Sequence, residues 1–140
     1  MTNFEKILKV FENNGIEYIL IGGFAGVVYG SSRLTRDVDF VYNRSPENIK
    51  KIVDALEEFH PYLRGAPPGL PFLFDSSTLE QECNSTLTTD IGGIDLLGEI
   101  PGGNFDSLKG DVVLFDVNKT NVRVISLIRL IQLKRASGMT

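Results

Sequence analysis

The spacing of apolar residues predicts helices in several parts of the chain. The first helix carries a stripe at positions i, i+3, i+4 and i+7, formed by Phe4, Ile7, Leu8 and Phe11. Thr2 and Glu5 predict a capping box at its start, because a hydroxyl and a carboxylate at this spacing can satisfy reciprocal backbone donors. Ser45 followed by Pro46 predicts the start of a second long helix.

Short apolar runs bounded by turn residues predict strands between these helices. They are expected over residues 16–21, 38–41, 85–89, 94–97, 112–117 and 121–125. A short helix is expected over residues 24–29, and Ser126 is expected to cap a final helix. This order of elements predicts an α/β or α+β fold, in which one mixed sheet is flanked by helices.

Composition and charge narrow the class of protein. With 140 residues, of which 42% are hydrophobic and 23% charged, the chain predicts one globular domain over residues 1–140. Its longest mostly apolar run, residues 18–29, is shorter than the ~20 residues of a membrane span, so no membrane partner is expected. A single cysteine, Cys83, excludes an internal disulfide framework and favours a cytoplasmic location. The net charge of −4 argues against binding to bulk nucleic acid.

The sequence Asp37-Val38-Asp39 is the strongest candidate for a functional site. Residues i and i+2 of a strand point to one face, so the two carboxylates are expected to project together. Asp95 adds a carboxylate within an apolar strand, where an unpartnered charge is costly. If that strand lies beside the Asp37 strand, the three carboxylates converge and suit Mg²⁺ or Mn²⁺. An Asp-x-Asp pair is also common by chance, and its residues are then strand-flanking or solvent-facing.

Gly22 and Gly23 separate a predicted buried strand from a predicted helix. Glycines in such a turn let a phosphate approach the backbone amides. The dinucleotide-binding pattern fails on glycine spacing, and the Walker pattern fails because its Gly-Lys-Ser/Thr end is missing. By itself the turn equally fits an ordinary tight connection.

Together, these motifs resemble the nucleotidyltransferase superfamily, to which polymerase-beta-like enzymes belong. The residues that carry the resemblance are Gly22, Gly23, Gly30, Arg33, Thr35, Asp37, Asp39 and Asp95. Residues 86–98 and 126–136 are similar to small prokaryotic members grouped with the abortive-infection toxin nucleotidyltransferases. The resemblance covers nearly the whole chain.

The resemblance implies an enzyme that moves a nucleoside monophosphate from a nucleoside triphosphate to a hydroxyl, with Mg²⁺ or Mn²⁺ as cofactor. It implies that Asp37 and Asp39 ligate the metal and that Asp95 completes the metal site or activates the hydroxyl. The residues that it implies for nucleotide binding are Gly22, Gly23, Ser31, Arg33, Thr35 and Lys134. It leaves transfer RNA, a protein or a small molecule open as the acceptor, and an antitoxin-like protein as a partner.

Two other interpretations of these residues stay open. One is a module of the same fold that binds a nucleotide or a partner without turnover. The other is an unrelated metal-dependent phosphohydrolase that uses the same aspartates on water. The segment from Arg64 to Pro71 has no role that follows from its residues, and both a substrate flap and a rigid surface loop fit it.

Overall fold

The computed structural model describes residues 2–138 and contains the main helices and strands predicted from the sequence. Its α-helices are α1 (Phe4–Asn13), α2 (Gly22–Val28), α3 (Pro46–Leu56), α4 (Ser76–Gln81), α5 (Phe105–Leu108) and α6 (Leu127–Ala136). Its strands are β1 (Tyr18–Ile21), β2 (Asp37–Tyr42), β3 (Tyr62–Leu63), β4 (Asn84–Thr89), β5 (Gly92–Leu97), β6 (Glu99–Ile100), β7 (Gly103–Asn104), β8 (Val112–Val117) and β9 (Thr120–Ile125). In this described part of the chain, no helix is long and apolar enough to cross a membrane.

A seven-stranded mixed sheet organises the molecule, in the order β3-β4-β5-β2-β1-β9-β8. At its centre, β2 runs parallel to β5 and antiparallel to β1, and β1 runs parallel to β9. The β4–β5 and β8–β9 hairpins extend the sheet on either side. The predicted fold, a mixed sheet flanked by helices, is confirmed.

A cluster of aromatic side chains forms where α1 packs on the central strands. Phe11 of α1 stacks on Phe40 of β2 with ring centroids 4.2 Å apart, and Tyr18 of β1 meets both rings edge-on. All three side chains are at most 1% exposed. Burial of one large aromatic side chain stabilises a fold by roughly 1.5–3 kcal/mol, so this cluster holds β2 firmly in place. The same strand carries Asp37 and Asp39.

The predicted caps of the two later long helices are confirmed. The hydroxyl of Ser45 accepts a hydrogen bond from the Asn48 amide at 3.2 Å at the start of α3. The hydroxyl of Ser126 accepts one from the Arg129 amide at 3.3 Å at the start of α6. Both caps satisfy a backbone donor that the first turn of a helix leaves free.

The capping box predicted from Thr2 and Glu5 is wrong. Asn3 caps α1 instead, since its side chain accepts a backbone hydrogen bond at 3.1 Å. The Thr2 hydroxyl donates to the carbonyl of Arg36 and accepts from the amide of Gly93. Thr2 therefore joins the beginnings of β2 and β5, a contact between distant residues that local spacing does not indicate.

The chain between α3 and β4 contains two elements that the sequence pattern did not predict. Strand β3 pairs with β4 at the edge of the sheet, and α4 packs against α3. The Tyr62 hydroxyl donates to the carbonyls of Pro67 and Leu70, at 2.6 and 2.9 Å. The segment from Arg64 to Pro71 is thereby tied to β3 as a compact surface loop.

Candidate active site

Three aspartates lie side by side on one face of the sheet. Asp37 and Asp39 occupy alternate positions of β2, and the parallel register places Asp95 of β5 directly beside Asp39. Val38 and Phe40 alternate with them and are fully buried on the opposite face. The structure thus brings together the three carboxylates named from the sequence, while their chemical roles stay predictions.

The surroundings of Asp39 disfavour its negative charge. Burial raises the pKa of Asp39 to about 8, and the adjacent carboxyl group of Asp95 adds to the shift through a shared hydrogen bond and through its charge. The charge of Asp37 acts in the same direction, whereas the Arg64 guanidinium partly offsets it. Carboxylates held this close gain stability from a proton or a cation between them.

Arg64, which follows β3, brings a guanidinium to this cluster. Its Nη1 lies 2.7 Å from Asp95 Oδ1 and 3.4 Å from Asp37 Oδ2. Its Nη2 donates to the Leu87 carbonyl at 2.8 Å, and its backbone amide donates to the Thr86 carbonyl at 3.0 Å. No local pattern in the sequence indicates this position of Arg64, because its partners lie on three different strands.

Two glycines at the β1–α2 junction leave space for neighbouring side chains. Gly22 has a φ of +73°, and a Cβ atom there would overlap Asp39 Oδ2. A Cβ atom at Gly23 would lie 2.9 Å from Thr35 Oγ1. Helix α2 begins at Gly22, two residues before the predicted start. The turn is therefore shaped around the carboxylate of Asp39.

Gly93 of β5 leaves the corresponding space for Asp37. A Cβ atom at Gly93 would overlap Asp37 Oδ1 and would lie 2.9 Å from Arg64 Nη2. Nothing in the local sequence marks Gly93, because its importance follows from the pairing of β2 with β5. A side chain at this position would push apart Asp37 and Arg64.

A cavity of about 300 Å³ opens beside Asp39. Its lining includes five of the six residues predicted for nucleotide binding, namely Gly22, Gly23, Ser31, Arg33 and Lys134. Most of the remaining wall is apolar and consists of Ile21, Ile100, Pro101, Leu130 and Leu133. A concave site with an apolar wall and a few polar groups is the usual form of a small-molecule site.

Thr35, the sixth predicted nucleotide residue, lies in a neighbouring cleft of about 640 Å³. Its hydroxyl donates to the Asp37 carbonyl at 3.2 Å, so it braces the start of β2. The same cleft is lined by Asp37 and Arg64. Asp37 and Asp39 therefore open into two different spaces, although they share one face of one strand.

The chemistry of the acidic cluster fits a hard divalent cation. Mg²⁺ and Mn²⁺ take carboxylate oxygens as ligands, and the buried Asp95 Oδ1 has the Arg64 guanidinium at 2.7 Å but no well-aligned hydrogen bond. The ligand positions are not preformed: among residues 2–138, no three His, Cys, Asp or Glu side chains are grouped closely enough to hold an ion. Binding of a cation would require the carboxylates and Arg64 to adjust.

Comparison with known proteins bears on the fold. No protein-family model matches the sequence, and no curated protein matches it. A solved structure from Thermotoga maritima, described as a “putative nucleotidyltransferase”, superposes with a TM-score of 0.66 and 15% sequence identity. The match covers 96% of this chain and 82% of that chain. The mixed sheet and its flanking helices therefore form a nucleotidyltransferase-like fold.

Proposed function

We propose that this protein is a magnesium- or manganese-dependent nucleotidyltransferase, which moves a nucleoside monophosphate from a nucleoside triphosphate to a hydroxyl. One observation carries the proposal: three aspartates adjoin on one sheet face, and Asp39 opens into a cavity that holds a glycine turn and two basic side chains. The fold that the chain shares with the Thermotoga maritima protein supports the same general class.

The cavity beside Asp39 is the proposed nucleotide site. Arg33 and Lys134 line it and are exposed, so their charges are available to a triphosphate. Gly22 and Gly23 lack side chains, which lets phosphate oxygens approach the backbone closely. The apolar wall offers the nucleoside a surface on which to pack.

The proposed transfer forms one bond and breaks one. The acceptor oxygen bonds to the α-phosphorus, the bond from that phosphorus to the bridging oxygen breaks, and pyrophosphate leaves. Asp37, Asp39 and Asp95 would hold the divalent cation, which when bound neutralises charge that develops on the phosphate oxygens. From its position beside Asp39, Asp95 would take the proton of the acceptor hydroxyl. The protein mostly positions groups and neutralises charge.

The acceptor is proposed only as a hydroxyl, which transfer RNA, a protein side chain or a small molecule can each supply. The cleft lined by Asp37 and Arg64 offers such a group a path to the carboxylates from outside the nucleotide cavity. The resemblance to the abortive-infection toxin group extends the proposal to an antitoxin-like protein partner. A neighbouring gene for such a partner would support that extension.

Transfer of label from α-labelled nucleoside triphosphates into cell extract tests the proposal. Each of the four triphosphates is supplied with Mg²⁺, and the labelled product is then digested with ribonuclease or protease to identify the acceptor. We expect label in one acceptor class with the wild-type protein. Release of phosphate without any acceptor would favour the phosphohydrolase instead.

A second candidate function is nucleotide or partner binding without turnover. The guanidinium of Arg64 favours it, because this group supplies positive charge to Asp37 and Asp95 at the place proposed for a cation. Under this alternative, the protein binds a nucleoside triphosphate by calorimetry but labels no acceptor with any of the four triphosphates. That pair of results would replace the enzyme with the binding module.

A further inference from the structure

The position of Arg64 is the feature of the acidic cluster that the proposed transfer does not use. One guanidinium contacts a carboxylate of β2, a carboxylate of β5 and a carbonyl of β4. Arg64 belongs to the surface loop that begins after β3, the strand at one edge of the sheet. Its side chain nevertheless reaches the acidic cluster on β2 and β5 near the middle of the sheet. Such a contact needs a physical explanation of its own.

The contact between Arg64 and Asp95 is a close ion pair made through one nitrogen. Nη1 lies 2.7 Å from Asp95 Oδ1, whereas Nη2 donates to the Leu87 carbonyl, outside the acidic cluster. A metal ion, which takes oxygen ligands directly, can replace an ionic contact of this kind more readily than a two-pronged hydrogen-bonded pair.

The side chain of Arg64 also has space into which it can move. It lines the cleft of about 640 Å³ beside Asp37 and is 31% exposed. The hydrogen bond from its backbone amide to the Thr86 carbonyl holds the main chain on the sheet. Withdrawal of the guanidinium therefore breaks its hydrogen bond to the Leu87 carbonyl but leaves strand pairing intact.

From these contacts we propose that Arg64 occupies the cation site when no metal is bound. Its guanidinium takes the place of a divalent cation between Asp37 and Asp95, and it withdraws into the cleft when the cation arrives. The inference rests on the proposed function, since it takes the three aspartates as cation ligands. It explains why the carboxylates have suitable chemistry without being grouped for an ion in the described conformation.

Competition between Arg64 and a cation has a measurable signature. Only molecules in which Arg64 has left the cluster can bind the cation. The apparent affinity is therefore the intrinsic affinity multiplied by the fraction of such molecules. Mn²⁺ affinity is measured by titration calorimetry for the wild type, Arg64→Gln, Arg64→Lys and Arg36→Gln. Arg36→Gln is the matched control, because it removes the same charge from an exposed side chain next to Asp37.

We expect Arg64→Gln to bind Mn²⁺ at least about tenfold more tightly than the wild type, corresponding to an open fraction of about one tenth or less. Arg64→Lys keeps the positive charge but loses the planar guanidinium, so its affinity for Mn²⁺ should be intermediate between those of the wild type and Arg64→Gln. Arg36→Gln should change the affinity by no more than about twofold, because exposed charges interact weakly through solvent. A change as large in Arg36→Gln as in Arg64→Gln would overturn the inference.

Thermal unfolding distinguishes competition with the cation from a purely structural role of Arg64. In chelator, Arg64→Gln should unfold at a lower temperature than the wild type, because two carboxylates lose their positive neighbour. In saturating Mn²⁺, this difference should vanish or reverse, since binding to the native state stabilises it. An equal deficit in both conditions would mean that Arg64 serves only the fold.

A measurement on the wild type keeps the inference testable if a variant fails to fold. The guanidinium resonance of Arg64, assigned by its absence in Arg64→Lys or by backbone connectivity, is followed during a Mg²⁺ titration. It should shift and saturate together with Mg²⁺ binding. A resonance that stays fixed while Mg²⁺ binds would overturn the inference.

The proposed function and this inference fail differently. If the wild type and the Arg64 and Arg36 variants all bind Mn²⁺ equally while Asp39→Asn abolishes binding, the cation site is supported and the proposed role of Arg64 is wrong. If neither the wild type nor Arg64→Gln binds Mn²⁺ with or without nucleotide, the metal-dependent function falls, and the inference falls with it.

Discussion

Asp37 and Asp39 lie two residues apart on one strand, but their surroundings differ. Asp39 is packed against Asp95 and Gly22, where burial and neighbouring negative charge raise its pKa to about 8. Asp37 is 37% exposed and faces the guanidinium of Arg64 at 3.4 Å. Strand alternation puts the two carboxylates on one face, whereas the adjoining strands and loops decide which charges each one meets. The same residue type at the same spacing can therefore serve different parts of one site.

Removal of Asp39 is expected to have the largest effect. Asp39→Ala should lower the rate of label transfer at saturating nucleotide by ~10²–10³-fold or more, because under the proposed mechanism it removes a transition-state group together with the cation held there. Asp54→Ala removes an exposed helix carboxylate and should stay within about twofold. A normal rate in Asp39→Ala would exclude Asp39 from the reaction.

Asp37 is expected to act through binding of the cation with the nucleotide. Mg²⁺ plus a nucleoside triphosphate should raise the melting temperature of the wild type more than the triphosphate alone, by an increment equivalent to ~2.7 kcal/mol at 100 times the Kd. Asp37→Asn should lose most of that increment, while Asp116→Asn, on an exposed strand residue, should keep it. Equal increments in the wild type and Asp37→Asn would show that the ion binds elsewhere.

The two glycines of the β1–α2 turn should separate the rate from the affinity. Gly22→Ala should lower kcat and stability, because its Cβ displaces the Asp39 carboxylate and a non-glycine residue at positive φ costs roughly 1–3 kcal/mol. Gly23→Ala should chiefly raise KM for the nucleotide, since its Cβ meets Thr35 and narrows the approach of phosphate to the backbone. Steady-state kinetics and thermal unfolding measure both effects. The same change in kcat and KM for both variants would remove the distinction.

The smallest expected effect belongs to Lys134, at the edge of the proposed nucleotide cavity. Lys134→Gln should weaken nucleotide binding by about two- to fivefold, as is usual for an exposed ionic contact worth ~0.2–1 kcal/mol. Arg135→Gln, one residue further along α6, should bind the nucleotide normally. High salt should reduce the difference between the two variants. Calorimetric titration at two ionic strengths measures it.

Most of the larger elements could be predicted because their patterns are long. Helices α1 and α3 carry continuous apolar stripes, and the caps at Ser45 and Ser126 follow from the chemistry of single residues. Strand β3 has two residues and α4 has six, so neither is long enough to display a clear period. Asn3 replaced Thr2 as the cap of α1, because the Thr2 hydroxyl bonds to β2 and β5.

Only part of the candidate site could be predicted, because local patterns do not specify which strands pair. The shared face of Asp37 and Asp39 follows from strand alternation alone. The position of Asp95 depends on which strand lies beside β2, which no local pattern specifies. Arg64 was beyond prediction, since it reaches the cluster through the successive pairing of β3, β4 and β5. The chemical roles of all four residues stay predictions until the variants are measured.

The parallel pairing of β2 with β5 also governs when this site comes into being during folding. The chain between these strands contains α3, β3, α4 and β4, so their pairing closes a long loop. Closing such a loop lowers the conformational entropy of the chain before the strand contacts form, and folds rich in contacts between distant residues form slowly. We therefore expect the acidic cluster to form only once β2 and β5 have paired, because that pairing brings Asp95 beside Asp39.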